Sequence, residues 1–228
     1  MNDGWRWLTD GAHWHGPDGI PVRLAEHLGY TLLVLAVAVL VGLPLGLLLA
    51  HSGRRTAFTV INTANGFRAL PTLGLLVLIF LLSAGSELAA LIPLVALAIP
   101  PVLVNTYEGV RQVDPRVRDA ALGMGMTGRQ VLLRVELPVA VPLVMTGVRT
   151  AAVQVVATAT IAAYINLGGL GGYLMDGILL RQYGAAVGGS LLVVLLAVAV
   201  QILFTYAGRL LTPRGLRQES NNRKETPV

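Results

Sequence analysis

Four stretches of this chain run for 20 residues or more without an Asp, Glu, Lys or Arg: 27–53, 88–107, 150–175 and 182–208. A helix of about 20 apolar residues spans the roughly 30 Å of bilayer hydrocarbon. In water such helices would have no polar face to turn outward, so they belong in a membrane. The composition agrees: 54% of residues are hydrophobic and 13% are charged, about half the usual charged share. Intrinsic disorder is excluded for the bulk of the chain. Cysteine is absent, which removes disulfides, thiolate nucleophiles and cysteine metal sites. The expected fold class is all-α, a polytopic membrane protein with about five transmembrane helices.

The first helix is the clearest. Residues 31–50 are mostly Leu, Val and Ala, with Pro44 as a tolerated break. The second is short of apolar residues at 69–83. It must start near Ala57 and take in Asn62, Asn65 and Arg68, and Leu70-Pro71 is a point where it can break. The third helix is expected over 88–106, the fourth over 142–165 and the fifth over 186–206. Residues 1–26 are polar, carry Trp5, Trp7 and Trp14, and lack the apolar core of a signal peptide. They read as an extracytoplasmic segment at the bilayer surface. Residues 27–210 make the membrane domain, and 211–228 a basic tail.

The net charge of +5 would suggest nucleic acid in a soluble protein. Here the placement of charge decides, and it points to membrane lipid. Segments 51–57, 107–138 and 207–228 hold Arg54, Arg55, Arg111, Arg116, Arg118, Arg129, Arg134, Arg209, Arg214, Arg217, Arg223 and Lys224, twelve bases. The segments on the other side hold Arg6, Arg23 and Arg181, three. The positive-inside rule then puts the N-terminus outside and the C-terminus in the cytoplasm.

The longest polar segment between spans is 107–138. Asp114-Pro115 is a helix-start signal, with Asp as N-cap and Pro at the first helical position. A short helix is expected over 116–122, broken by Gly123 and Gly125. Thr127 can cap a second short helix through Val135, which Pro138 ends. Two short helices on a glycine hinge make a knob suited to docking. An ordinary solvated loop would show the same features, and on them alone the two readings stand level.

The spacing in this segment carries more. Asp119-Ala120-Ala121, three residues, Gly125, nine residues, Val135, one residue and Leu137-Pro138 resemble the cytoplasmic EAA loop of ABC importer permeases, E-A-A-x3-G-x9-I-x-L-P. Asp119 stands for Glu and Val135 for Ile. The likeness extends over about 25–210. The stretches RALPTLGLL, NTYEGVRQVDPRVRDAALGMGMT, VELPVAVPLVMTGVRTA and TATIAAYINLGGLGG are similar to the osmoprotectant branch, permeases for glycine betaine, carnitine, choline or proline betaine.

The resemblance implies the type I ABC importer permease fold and a set of partners. These are a second permease chain, identical or similar, a cytoplasmic ABC ATPase subunit that binds ATP and Mg, and an extracytoplasmic substrate-binding protein. It makes Asp119, Ala120, Ala121, Met124, Gly125, Met126, Val135, Leu137 and Pro138 the ATPase-coupling residues. Asp119 would pair with a base, Ala120 and Ala121 would allow close packing, Gly125 would allow a sharp turn, and Met124 and Met126 would fill an apolar pocket.

Polar side chains inside spans are costly and tend to face the bundle interior or a watery path. Asn62, Asn65, Arg68 and Thr72 recur at three, three and four, on one helix face. Thr146, Thr150, Gln154 and Thr158 recur at four, beside the small Gly147 and Ala151. Both stripes are candidates for a translocation path or gate. Interhelical bonding is the more common use of such residues. Arg68 must snorkel or pair, and Arg149 is expected to snorkel at the inner interface.

Enzyme readings fare poorly. A P-loop needs G-x-x-x-x-G-K-[ST], and the single lysine, Lys224, has no such glycines before it. The chain is expected to bind no cofactor of its own. His13 and His15 show no third metal ligand, and Ser190 with His27 or His51 would be an intramembrane hydrolase pair without a motif. Tyr164 and Tyr173 could touch a quaternary ammonium at the outer mouth, but no aromatic cage is visible. Only 18 residues follow Leu210, so a fused binding domain is not expected. The remaining alternatives are a permease for another small solute such as an amino acid, and a passive channel or structural subunit.

Overall fold

Proline and glycine set where the helices begin and bend. The computed structural model describes residues 2–86, 88–165 and 167–213, and its described residues hold helices and turns without strands. A short helix, α1 (Asn2–Thr9), precedes the first long one, α2 (Ile20–Ala50). α2 starts eleven residues before the expected 31, because Gly19 caps it in an extended conformation and Pro21 lies in its first turn. Residues 20–26, read from sequence as part of a surface segment, are therefore helical.

The second expected helix is not continuous. α3 (Arg54–Phe67) and α4 (Thr72–Leu82) meet at an 85° bend. Pro71 lacks the N–H that would bond four residues back, and it pushes Leu70 out of the helical region. α4 has 11 residues, about 16 Å of helix, too short to cross a bilayer alone, so the bent pair is either one broken span or a re-entrant loop.

α5 (Leu91–Arg111) is followed by α6 (Pro115–Gly123) and α7 (Gly128–Val131). A π-helical turn, Leu132–Glu136, joins α7 to α8 (Leu137–Ala162). Pro138 does not end the second short helix, as the sequence suggested. It lies in the first turn of α8, where the π turn already changes the bonding pattern and a missing N–H does little harm. Residues Gly128–Ile165 thus form one 38-residue helical run. α9 (Gly171–Leu179) and α10 (Tyr183–Leu211) complete the described chain. Among the described residues four helices are long and apolar enough to cross a membrane, or five spans if the bent pair counts as one, against about five expected. The bases of the tail beyond 213, Arg214 to Lys224, lie outside the described residues.

The core runs along α2, α5 and α8, where Val34, Ala38, Leu94, Val102, Ala151 and Val155 are buried. A Cβ on Gly46 would sit 2.6 Å from Thr106 Cβ, and one on Gly147 2.6 Å from the Pro101 carbonyl oxygen. α2–α5 and α5–α8 therefore meet at near-backbone distance. In lipid, close packing by small residues replaces the hydrophobic drive for association. α10 packs on α8 and α9, and α1 lies on α10, so the N-terminal helix is docked on the bundle.

Candidate functional site

The segment between α5 and α8 is built from local signals. Asp114 accepts from the Arg116 N–H at 2.8 Å, and Pro115 opens α6. At the other end, the Met126 N–H donates to the Ala121 carbonyl at 3.2 Å and the Gly125 N–H to the Leu122 carbonyl at 2.9 Å. These two bonds make a Schellman cap with Gly125 in the left-handed position, φ +84°. Gly123 does not break the helix; it is its last residue. Thr127 and Gln130 form a reciprocal capping box at the start of α7.

The capped turn presents Asp119, Ala120, Met124 and Gly125 to the outside, with Met124 74% exposed and Met126 half-buried. Asp119 makes no ion pair among the described residues. Ala121 turns inward and is buried. Val135, Leu137 and Pro138 are half-buried along the π turn and the start of α8.

The sequence reading passed over the group that ties this segment to the spans. Glu136, the unassigned residue of Val135-Glu136-Leu137-Pro138, is 1% exposed. Arg118 Nη2 of α6 lies 2.8 Å from its Oε1, and His51 Nε2, just past the end of α2, lies 2.9 Å from its Oε2. The second contact is off the line of a hydrogen bond, and Oε2 is left without a formed bond. One carboxylate therefore touches α6, the α8 run and the end of α2. Burial of a lone carboxylate is prohibitive, whereas a hydrogen-bonded pair is tolerated, so α6 is held where Arg118 can reach Glu136.

The two polar stripes meet at one point. Arg68 Nη2 lies 3.4 Å from Gln154 Oε1, and Gln154 Nε2 donates to the Leu97 carbonyl of α5 at 3.2 Å. Gln154 thus bridges the bend between α3 and α4 to α5. The threonines do not bond neighbouring helices. Thr146, Thr150 and Thr158 donate to the carbonyls of Pro142, Thr146 and Gln154 in their own helix. Thr72 is half-buried, while Asn62 and Asn65 are exposed on α3. Arg149 donates to Thr205 Oγ1 of α10 at 3.3 Å.

At the opposite end of the bundle, Gly168 and Gly169 take positive φ, and the Gly169 N–H donates to Glu26 at 2.9 Å. Arg23 pairs with Asp18 and Glu26, and the Tyr173 hydroxyl donates to the Asp18 carbonyl. Burial pushes the Tyr173 phenol up from its usual value near 10. Trp7 stacks on His13 at 4.4 Å and meets the Tyr173 ring edge-on at 4.9 Å. A Cβ on Gly188 would strike Trp7 Cε3 at 2.3 Å, so one side of the indole packs on α10, while Trp7 stays half-buried and lines a cavity with His13, Asp18, Tyr173 and Asp176. Tyr164 is exposed, outside that cluster. Ser190 donates to the Ala186 carbonyl and His27 bonds the Val156 carbonyl, so neither joins the other as a nucleophile–base pair.

Comparison with known proteins places the whole arrangement. The family model described as binding-protein-dependent transport system inner membrane component matches residues 42–216. The choline transport system permease protein OpuBB of Bacillus subtilis is 34% identical over 193 residues, covering 85% of this chain and 88% of that protein. The carnitine transport permease protein OpuCB of Listeria monocytogenes is 34% identical, over 86% and 90% of the two chains. The osmoprotectant import permease protein OsmW of Salmonella typhimurium is 32% identical, over 84% and 91%. Among solved structures, an inward-facing form of the MetNI methionine ABC transporter aligns with a TM-score of 0.71 at 23% identity, over 93% of this chain and all of that one, which establishes a shared fold. The chain belongs to the family of binding-protein-dependent transport system inner membrane components and is a multi-pass membrane permease with the type I ABC importer fold.

Proposed function

We propose that the chain is the permease subunit of an ATP-driven importer of compatible solutes bearing a quaternary ammonium, such as glycine betaine, carnitine or choline. The observation that carries this reading is the capped α6–α7 turn. It is exposed where a partner must dock and tied by Glu136 to two spans. A cytoplasmic ATPase seats against Asp119, Ala120, Met124 and Met126. Its ATP- and Mg-dependent closure moves α6 as a rigid body, and Arg118 passes that displacement through Glu136 to α8 and α2. Hydrolysis of ATP belongs to that partner. A second permease chain completes the path, since five spans enclose little space alone, and a separate extracytoplasmic binding protein delivers the solute.

The orientation follows from charge: segments 51–57, 107–138 and 207–228 carry twelve bases in the sequence against three in the alternate segments, which supports N-out, C-in. Within the bundle, the threonines of α8 donate their protons inside their own helix. Thr150 is exposed and Thr146 half-buried, an acceptor surface a methylated cation can pass without being held, whereas Thr158 is buried. Names of the relatives, which print choline, carnitine and osmoprotectant, support the substrate class.

The test is uptake of labelled glycine betaine, carnitine and choline into cells carrying the whole system, beside a mild-detergent pull-down of the tagged chain. ATP-dependent uptake and a co-purifying ATPase are expected, both lost in Gly125→Asp with the chain still in the membrane. Normal uptake by that variant would sink the coupling role of the turn.

A further inference from the structure

α8 and α10 run antiparallel, so the start of one lies beside the end of the other. Between them, toward the end of the bundle that carries α6, opens a cavity of about 600 Å³. Two guanidinium groups line it, Arg149 from α8 and Arg209 from the last turn of α10, and no carboxylate does among the described residues. Neither arginine makes an ion pair among the described residues.

Both cations are positioned. Helical side chains lean toward the N-terminus of their own helix, so in this antiparallel pair Arg149 and Arg209 lean toward one another. Arg149 donates to Thr205 Oγ1, and that hydroxyl donates onward to the Gln201 carbonyl at 2.7 Å. Thr205 can therefore only accept, which fixes one guanidinium N–H and leaves the others for a ligand. The Arg209 guanidinium stands 5.7 Å from the Tyr206 ring centroid. Pro142, Met145, Thr146 and Phe204 line the same cavity.

Two uncompensated arginines between membrane helices are costly unless an anion reaches them. A phosphate oxygen pair matches the guanidinium fork in geometry and charge. We propose that this groove binds a phosphate group, supplied by the headgroup of an anionic phospholipid in the leaflet on the α6 side. The apolar lining selects that source: an acyl chain can lie against Pro142, Met145 and Phe204, and free phosphate has nothing to place there. Basic pockets between spans capture headgroups by the same physics. The inference rests on membrane residence alone, so its failure leaves the importer reading untouched.

The experiment is native mass spectrometry of the intact assembly in mild detergent, titrated separately with phosphatidylglycerol, phosphatidylcholine and inorganic phosphate. Wild type is expected to retain one phosphatidylglycerol per chain at this site, favoured about 25-fold over phosphatidylcholine, with each of the two arginines contributing a factor of about five. Arg149→Gln/Arg209→Gln should abolish the preference, and Arg149→Lys/Arg209→Lys should keep only the part due to charge, since the fork is lost. Arg209→Gln alone, at an exposed position that leaves packing intact, should weaken retention about fivefold. Equal retention of the two lipids by wild type, or a preference that survives the double Gln variant, would overturn the site. Binding of inorganic phosphate without retention of phosphatidylglycerol would overturn the lipid source.

Discussion

Removing Arg118 tests whether one ion pair holds the docking segment to the spans. Arg118→Met keeps a long side chain in the gap but strips the cation from 2.8 Å beside Glu136 Oε1. The carboxylate is 1% exposed, and its other oxygen has no formed hydrogen bond although His51 Nε2 stands 2.9 Å away, so no second bonded partner takes over from Arg118. Breaking a fully buried pair in this way costs about 3–5 kcal/mol. The Arg118 side chain is itself 39% exposed, and solvent screens part of the interaction, which reduces the expected loss to about 1–3 kcal/mol. That is a factor of about 5 to 150 in the equilibrium between docked and released α6.

Hydrogen exchange on the intact assembly reads this factor at the amides of Arg118, Met124 and Met126, whose bonds close within the segment. Their protection should fall by that factor, while mid-span amides of α5 and α8 stay unchanged. The double variant Arg118→Met/Glu136→Gln removes both charges and should recover most of the lost protection. The solute moved per ATP should fall in the single variant and rise again in the double. Unchanged exchange in Arg118→Met, or a double variant no better than the single, would refute the idea that this pair carries the strain between α6 and the bundle.

Other positions give sharper or narrower outcomes. Gly125→Ala forces a Cβ into φ +84° with open space around it, so a purely conformational loss of about 1–2 kcal/mol is expected, read as reduced protection of the 122–126 amides without loss of folded yield. Gly147→Val drives a side chain into the Pro101 carbonyl at 2.6 Å and Asn105 Cβ at 2.8 Å; backbone cannot yield there, so the membrane-inserted yield should collapse. Arg68→Ala removes the contact to Gln154 and should lower transport with the assembly intact; unchanged transport would take α3 off the path. Tyr173 is held protonated by its surroundings, so its share of stability is complete below pH about 10 and is lost as pH rises beyond that; alkaline melting curves should show the loss in wild type and lack it in Tyr173→Phe.

What the sequence made legible has local causes. The Asp114-Pro115 start, the Thr127 cap and the need for a glycine at 125 each depend on residues within about five positions, and each stands where the pattern put it. The bend at Leu70-Pro71 was legible as a break, though not its 85°, which depends on what α3 and α4 pack against. Local reading failed where distant groups decide. Pro138 looked like a terminator because the π turn before it leaves no mark in composition. Glu136 looked like one more loop acid because its partners lie 18 and 85 positions earlier in the chain, at Arg118 and His51. Period alone cannot say where a hydroxyl's proton goes either. Thr146, Thr150 and Thr158 share one face by period, but their protons go to carbonyls of their own helix and Thr158 is buried, neither of which the period shows. The same dependence on distant partners makes the Glu136 clasp useful. A carboxylate satisfied by its own helix would be indifferent to the motion of α6, whereas one satisfied by Arg118 must move with it or be left buried and unpaired.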